Sequence, residues 1–474
     1  MRLGDIELQF RADRTAIVQG TENPAVRVCM SVRPAGSEAA ERQPVTLVVL
    51  LDCSGTMRSF RMDAGEAQRW IQTASNRSEL RLVESDRRIV HQLTGQTLQD
   101  VRSSARCSLA VAASALEVLA AELRDSDVCC LVGFATRAGI LFDGRRRFAR
   151  NSFRDILKQI QDQPSSPNLG DGTRMQEACR IAASLLRGDA SARRLRRLVL
   201  ITDGIVEDDV DTLRELEEIR NEKVSVTTIG IGQEFNEEFL TRVADWTGGT
   251  YHYAPTAEDV QGRLKEDAGV LQAVAATELT VSARGMGDAV VTCVTQLIPQ
   301  TRMFEEIRLK EDWYQVDVGE VHGGSGVTLM SEFSLPWLQA GRHAVGEVEL
   351  EWRDPKTGTP QKSGHVVSVN CLPPNSPTPE LDPEVEEMFM RLEVYRAERS
   401  AQWAQESGRP GVATVRLREA STILRHLGEG EWAKRFEQQA SDLETNQPDS
   451  DRTKALKDWV RRLAQRKEEG EQEE

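Results

Sequence analysis

The sequence lacks an excess of basic residues and a long apolar run, and each absence excludes a class of protein. Its 474 residues contain 60 lysines and arginines against 75 aspartates and glutamates, a formal net charge of −15. Nucleic-acid binding and electrostatic docking on membranes need clustered positive charge, so neither partner is expected. No apolar run approaches the ~18 residues that a membrane-spanning helix needs. The charged start, with Arg2 and Asp5, does not fit a secretory signal.

Paired cysteines and common catalytic motifs are also missing. The eight cysteines are scattered, and none forms a Cys-x-x-Cys pair. Several, such as Cys29 and Cys293, lie in strand-like apolar stretches, which is typical of buried, reduced thiols in a cytoplasmic protein. There is no Gly-x-x-x-x-Gly-Lys loop for phosphates, and the six histidines carry no local motif for nucleophilic catalysis.

What is present is a change of periodicity along the chain. Residues 1–43 contain alternating, strand-like segments, residues 44–258 alternate continuous apolar strands with amphipathic helices, and residues 270–371 return to a period of two. Continuous apolar strands between helices predict an α/β region with a doubly wound, mainly parallel sheet covered on both faces. The two alternating segments predict a flanking antiparallel β-sandwich, in which the strands of residues 1–43 find their partners.

The remaining segments are an insertion, a linker and a helical module. A long polar connection, at about residues 60–102, interrupts the α/β region and is either a solvated excursion or a lid. Residues 372–382 form a proline-rich linker. Helical spacing of apolar residues then predicts a C-terminal helical module over residues 383–466, followed by an acidic tail at 467–474.

Side chains that carry oxygen occur at strand ends and loops in three separate parts of the α/β region. One predicted strand ends at Asp52, which Ser54 and Thr56 follow at alternate positions. A second loop contains Thr173, and another apolar strand ends at Asp203. Ligands of open α/β sheets bind outside the carboxyl ends of the strands, and such oxygens suit a hard divalent cation. Taken singly, these residue types commonly cap strands and helices.

These residues, in this order, resemble the metal-ion-dependent adhesion site of von Willebrand factor A domains, and the resemblance covers about residues 44–256. That site draws an Asp-x-Ser-x-Ser motif, a threonine and an aspartate from three loops. The matching residues here are Asp52, Ser54, Thr56, Thr173 and Asp203. Thr56 replaces the second serine and keeps its hydroxyl. The chain as a whole resembles cytosolic bacterial A-domain proteins with a flanking β-sandwich and a C-terminal helical region.

The resemblance implies a protein that binds Mg²⁺, or Mn²⁺ or Ca²⁺ in its place, and that binds another protein through the metal. Mg²⁺ takes six oxygens, and a set rich in neutral hydroxyls leaves its charge under-neutralised. An aspartate or glutamate of a partner protein would complete the coordination. We therefore expect a cytoplasmic interaction or scaffold protein that is not an enzyme.

Two alternatives remain open. In the first, the metal only stabilises a structural scaffold, and partners dock elsewhere. In the second, the protein is a metal-dependent phosphohydrolase, because the segment after Asp52 resembles the Asp-x-Asp-Gly-Thr loop of haloacid dehalogenase phosphatases. Those enzymes use the second aspartate as the general acid. Here that position is Ser54, whose hydroxyl cannot protonate a leaving group at neutral pH.

Overall fold

The chain folds into two compact units, Gln43–Leu271 and the combination of Met1–Arg42 with Gln272–Glu474. The predicted acidic tail, 467–474, lies outside the described residues. The computed structural model describes residues 2–3, 6–35, 43–60, 64–85, 88–104, 107–145, 149–187, 194–232, 235–256, 258–266, 274–304, 307–310, 312–322, 326–445 and 450–465.

The first 42 residues contribute strands to the discontinuous unit. The strands are β1 (Arg2–Leu3), β2 (Ile6–Ala12), β3 (Ala16–Val18) and β4 (Ala25–Pro34). In β2, Ile6 and Leu8 are buried while Glu7 and Gln9 are exposed, because successive side chains of a strand point to opposite faces. The strand therefore has one face toward a core and one toward solvent.

The continuous unit is the α/β region, and its elements follow one another along the chain. The strands are β5 (Val45–Asp52), β6 (Leu80–Ser85), β7 (Arg88–Leu93), β8 (Val128–Phe134), β9 (Ala138–Asp143), β10 (Leu195–Thr202), β11 (Ser225–Ile231) and β12 (Tyr251–Ala254). The helices are α1 (Gly55–Arg58), α2 (Ala64–Asn76), α3 (Gly95–Ser104), α4 (Ser108–Glu122), α5 (Arg150–Asp162), α6 (Gln176–Arg187), α7 (Asp209–Asn221), α8 (Glu237–Thr247) and α9 (Asp259–Glu266).

The main sheet of this unit has the order β12-β11-β10-β5-β8-β9. Neighbouring strands are parallel except for β9, which runs antiparallel to β8 at the edge. Every residue of β5, β8 and β11 is buried, as expected for strands covered on both faces. Since the chain adds β8 on one side of β5 and β10 on the other, the strand order reverses between β5 and β10. Such a switch point forms a crevice at the carboxyl ends of the strands.

The connection between α1 and α4 contains α2, a hairpin and α3. The hairpin pairs β6 with β7 antiparallel, from Leu80 opposite Leu93 onward. Glu79 caps α3, since its carboxylate accepts from the backbone N–H groups of Gln96 (2.9 Å) and Thr97 (2.7 Å). This long segment thus has secondary structure of its own.

The discontinuous unit contains a β-sandwich. Its further strands are β13 (Val274–Gly285), β14 (Val290–Ile298), β15 (Arg302–Met303), β16 (Arg308–Lys310), β17 (Trp313–His322), β18 (Val327–Ser334), β19 (Gly341–Arg353) and β20 (Pro360–Leu372). They form two sheets, β1-β2-β4-β18-β14-β15 and β16-β17-β13-β19-β20-β3. Apolar residues of both sheets, among them Val28, Phe333, Val281 and Leu350, share one core. The strands before and after the α/β region therefore build one sandwich.

The same unit ends in a helical module. Its helices are α10 (Pro383–Glu406), α11 (Pro410–His426), α12 (Gly430–Glu444) and α13 (Ser450–Arg462). Asp382 caps α10 by accepting from the N–H groups of Glu384 and Val385. Trp432 and Trp459 stack with 4.2 Å between their ring centroids. The predicted fold class, an α/β region with a flanking β-sandwich and a helical module, is confirmed. None of the described helices is long and apolar enough to span a membrane.

Candidate metal centre

The candidate site lies at the switch point of the parallel sheet. Strands β5 and β10 pair in register, with Leu51 opposite Ile201. Asp52 is the last residue of β5, and Asp203 follows the last residue of β10. Both aspartates are fully buried. Strand pairing therefore brings together two carboxylates that are far apart in the sequence.

The segment after β5 folds back over these carboxylates. Asp52 accepts from the backbone N–H of Ser54 (2.8 Å) and, with its other oxygen, from the hydroxyl of Thr202 (2.5 Å). The hydroxyl of Thr56 donates to Asp203 (2.7 Å). Ser54 Oγ lies 3.0 Å from Thr56 Oγ1, and because Thr56 has already used its hydrogen, Ser54 donates in this pair. Two strand ends are thus linked by hydroxyl groups.

Thr173 reaches the same place from the loop before α6. Its side chain is buried, and a Cβ atom built on Gly204 would lie only 2.8 Å from Thr173 Oγ1. The hydroxyl therefore lies against the backbone that follows Asp203, and a side chain at position 204 would collide with it. The carbonyl of Thr173 also accepts from the N–H of Glu207 (3.0 Å). The structure brings all five residues proposed from the sequence into one neighbourhood.

Two further residues that the sequence did not single out hold this arrangement. Thr202 fixes Asp52, as described above. Asp208 accepts from the N–H groups of Met175 (2.8 Å) and Gln176 (2.9 Å), and so caps α6. It thereby fastens the loop of Thr173 to the segment that follows Asp203. In the sequence, Thr202 is part of an apolar strand, and Asp208 is the middle one of three successive acidic residues at the start of α7.

The electrostatics of the centre favour a bound cation. Burial, and after it the negative charge of Asp203, raise the pKa of Asp52 to about 7, although hydrogen bonds from Thr202 and Ser54 act in the opposite direction. Two buried carboxylates at one point repel each other, and a divalent cation would offset that repulsion.

The donor set also fits Mg²⁺. The candidate residues offer two carboxylates and three hydroxyls, all of them oxygen ligands, which a hard cation prefers. Within the described ranges, no group of three or more histidine, cysteine, aspartate or glutamate side chains could hold a metal. A metal at this centre would therefore depend on the hydroxyl oxygens of Ser54, Thr56 and Thr173, which carry lone pairs that a cation can bind.

Comparisons with known proteins agree with this geometry. A family model described as von Willebrand factor type A domain matches residues 97–253, and one described as Sll0103-like, C-terminal alpha-helical domain matches residues 383–466. The first range includes Thr173 and Asp203, whereas Asp52, Ser54 and Thr56 precede it. The contribution of β5 to the centre is therefore visible in the structure and not in that match.

Similar proteins have been found in several bacteria. The protein sll0103 of Synechocystis sp. is 23% identical over 339 residues, which are 70% of this chain and 75% of that protein. YfbK of Escherichia coli is 26% identical over 232 residues, which are 47% of this chain and 38% of that protein. A solved von Willebrand factor type A structure from Catenulispora acidiphila aligns over 96% of both chains, with a TM-score of 0.68 at 14% identity, and so shares the fold. This chain contains a von Willebrand factor type A domain and an Sll0103-like C-terminal alpha-helical domain.

Proposed function

We propose that this protein binds other proteins through a divalent cation, Mg²⁺ in the first place, held at the switch point between β5 and β10. A von Willebrand factor type A domain supports a role in protein interaction or as a scaffold. The observation that carries the finer proposal is the link between the two strand ends, in which Thr56 Oγ1 lies 2.7 Å from Asp203 Oδ1. A hydroxyl oxygen and a carboxylate oxygen from separate segments therefore lie side by side, which supports the proposal.

In this proposal the residues of the centre have two roles. The hydroxyls of Ser54, Thr56 and Thr173 bind the cation directly or through water. Asp52 and Asp203 hold ordered waters and balance the charge. When bound, the cation supplies a Lewis-acidic position that an aspartate or glutamate of the partner protein fills. Mn²⁺ and Ca²⁺ also accept oxygen ligands and serve as substitutes.

The geometry supports binding over hydrolysis. A phosphohydrolase of the type considered above needs a carboxylic acid two residues after the nucleophilic aspartate. Ser54 stands there, and its side chain is fully buried. We therefore propose a non-catalytic domain. In the remaining alternative, the metal only stabilises the fold. The capture experiment with a chelator, described below, distinguishes this alternative from metal-dependent partner binding.

The cysteines support a reducing, intracellular location. All eight lie in described segments, and all are free thiols. Disulfides form and persist in secreted proteins, whereas free buried thiols are usual in the cytoplasm. We propose a cytoplasmic protein, which cell fractionation with an antibody against the native chain would test.

The metal proposal is tested by titrating the full-length protein with Mg²⁺ and Mn²⁺ in a calorimeter. We expect uptake of one ion by the native protein and at least tenfold weaker binding by Thr173→Ala. Thr46→Ala is the matched control, since Thr46 is also buried but lies near the opposite end of β5. Failure of the native protein to take up either ion would remove the proposed function.

The partner proposal needs a second experiment. Partners captured on the immobilised protein in Mg²⁺ should be released by a chelator and should not bind Asp203→Ala. If the chelator lowers the melting temperature but leaves capture unchanged, the metal is a structural element of a scaffold and the partner docks elsewhere.

A further inference from the structure

An exposed aliphatic side chain lies beside the buried centre. Ile205 follows Asp203 by two residues, so their Cα atoms are at most about 7 Å apart. Asp203 is fully buried, whereas 62% of Ile205 is exposed. Val206 is buried, which anchors the loop. Val210, in the first turn of α7, is exposed by 63%. The segment after Asp203 thus presents apolar surface next to a polar centre.

Two arginines at this edge each lie beside a carboxylate. Arg58 donates to the carbonyl of Gly170 (2.8 Å) and forms an ion pair with Asp171. Arg174 lies 3.7 Å from the carboxylate of Glu207. Two of the exposed carboxylates at this edge, Asp171 and Glu207, therefore have a guanidinium beside them, whereas the exposed carboxylate of Asp209 accepts from the N–H of Val210.

These charges and the exposed aliphatic surface together affect which partner the edge accepts. Exposed charges act over about 8 Å in physiological salt, so the local balance matters more than the total charge of the chain. An acidic side chain approaching the centre meets two carboxylates whose charge is offset by neighbouring arginines, and it meets the aliphatic surface of Ile205. A partner residue next to that acidic side chain would gain by being apolar, because contact with Ile205 removes apolar surface of both molecules from water.

We infer that the centre recognises a protein segment in which the metal-binding aspartate or glutamate has an aliphatic residue directly beside it, and that Ile205 is the residue that selects for this neighbour. The inference rests on the proposed function, since it requires a cation that takes the partner's carboxylate. It adds the chemistry of the partner segment and identifies Ile205 as the side chain that contacts the aliphatic residue.

The test uses the full chain, Mg²⁺ and short acetylated peptides carrying a fluorine label, followed by ligand-observed NMR, which covers millimolar affinities. One peptide has the sequence Gly-Leu-Asp-Leu-Gly, a second has serine in place of leucine, and a third has asparagine in place of aspartate. We expect the native protein to bind the leucine peptide about tenfold more tightly than the serine peptide, from partial burial of an aliphatic contact. The asparagine peptide should not bind, because it lacks the carboxylate.

Two variants assign the preference to Ile205. Ile205→Ser should bring the ratio of the two affinities close to one while leaving Mg²⁺ uptake unchanged, because the replaced side chain is mostly exposed. Val290→Ser is the matched control, since Val290 is exposed by 59% on β14 of the sandwich, and it should keep the tenfold preference. If Ile205→Ser melts earlier than the native protein, Ile205→Thr keeps the branched shape and repeats the test.

The outcomes separate this inference from the proposed function. Three results would overturn the inference and leave the metal centre unaffected. They are equal binding of the leucine and serine peptides, a preference that persists in Ile205→Ser, and no binding of any peptide to the Mg²⁺-loaded protein. Absence of Mg²⁺ uptake by the native protein would overturn both.

Discussion

The hydroxyl of Thr56 donates to the carboxylate of Asp203, with 2.7 Å between Oγ1 and Oδ1, although 147 positions separate the two residues. The contact joins the turn after β5 to the end of β10. It also holds a hydroxyl oxygen next to a carboxylate oxygen with both side chains largely withdrawn from water. Two of the residues that would hold a divalent cation at this centre are therefore already joined by a hydrogen bond.

The role of this hydroxyl can be tested by two substitutions at one position. Thr56→Ser keeps the hydroxyl and should retain Mg²⁺ affinity within about threefold. Thr56→Val keeps the shape but leaves Asp203 without this donor, so we expect at least tenfold weaker Mg²⁺ binding and a loss of about 1–2 kcal/mol of stability. Calorimetric titration and urea unfolding measure the two effects. Native Mg²⁺ affinity in Thr56→Val would show that the hydroxyl is not a ligand.

Asp52 should make the stability of the metal-free protein depend on pH. Burial and the charge of Asp203 raise its pKa from 3.8 to about 7 in the folded state, so between these values the folded protein holds a proton that the unfolded chain has released. Its contribution to the free energy of unfolding therefore falls as pH rises from about 4 to about 7, by at most about 1.4 kcal/mol per pH unit.

The measurement is urea unfolding in a chelator across that pH window, for the native protein and for Asp52→Asn. The asparagine cannot ionise, so the native protein should lose stability relative to the variant as pH rises. Excess Mg²⁺ should restore the native protein above pH 7, since binding to the folded state stabilises it. Parallel pH profiles of the two proteins in chelator would contradict the assignment.

Much of this centre could be predicted from the sequence because its parallel strands are buried on both faces. Such strands appear as continuous apolar runs, and the aspartates that end them are conspicuous. No local pattern shows that Asp52 and Asp203 come from the ends of adjacent strands. The chain forms β8 between β5 and β10, but β8 pairs on the other side of β5 and leaves β5 and β10 next to each other. The contact of Thr202 with Asp52 depends on that same pairing.

Two other features were difficult to predict because the residue types around them favour a different structure. The hairpin of β6 and β7 lies in a segment rich in arginine and glutamate, where polarity favours an irregular connection over strands. Asp208 stands at the start of α7, where an acidic residue is usually taken to cap its own helix. Its carboxylate instead caps α6, a tertiary contact that periodicity does not show.

The contact of Asp208 with α6 should position Thr173 for metal binding. Asp208→Ala removes the acceptor for two N–H groups, so we expect a loss of about 1–2 kcal/mol of stability and weaker Mg²⁺ binding as the loop of Thr173 loosens. Asp209→Ala is the control, because the exposed carboxylate of Asp209 accepts from the N–H of Val210 next to it. Mg²⁺ affinity, measured on fully folded protein, distinguishes a role of Asp208 in metal binding from a role in stability alone. If Asp208→Ala binds Mg²⁺ with native affinity, Asp208 is only a structural cap of α6.

In the discontinuous unit, an ion pair fastens α10 to the sandwich. Glu332 on β18 pairs with Arg396 on α10 and lies 3.4 Å from Arg27 on β4. The side chain of Glu332 is only 11% exposed, and each of its two arginine partners keeps one other carboxylate beside it when Glu332 is removed. Glu332→Ala should therefore lower the free energy of unfolding by about 2 kcal/mol, the cost of losing charge-assisted hydrogen bonds from a nearly buried group. Glu347→Ala is the comparison, since Glu347 pairs with Arg284 in a more exposed position and its loss should be at most about 1 kcal/mol.

A double-mutant cycle with Arg396→Met assigns the effect to the pair. If the contact with α10 is responsible, the double variant should be more stable than the sum of the single losses predicts, because methionine removes the buried charge that Glu332→Ala leaves behind. Urea unfolding of the four proteins measures the coupling. Strictly additive losses would mean that Glu332 acts through Arg27 or through packing within the sheet, and that α10 is held to the sandwich by apolar contacts such as those of Met330 and Leu297 in the core it shares with the helices.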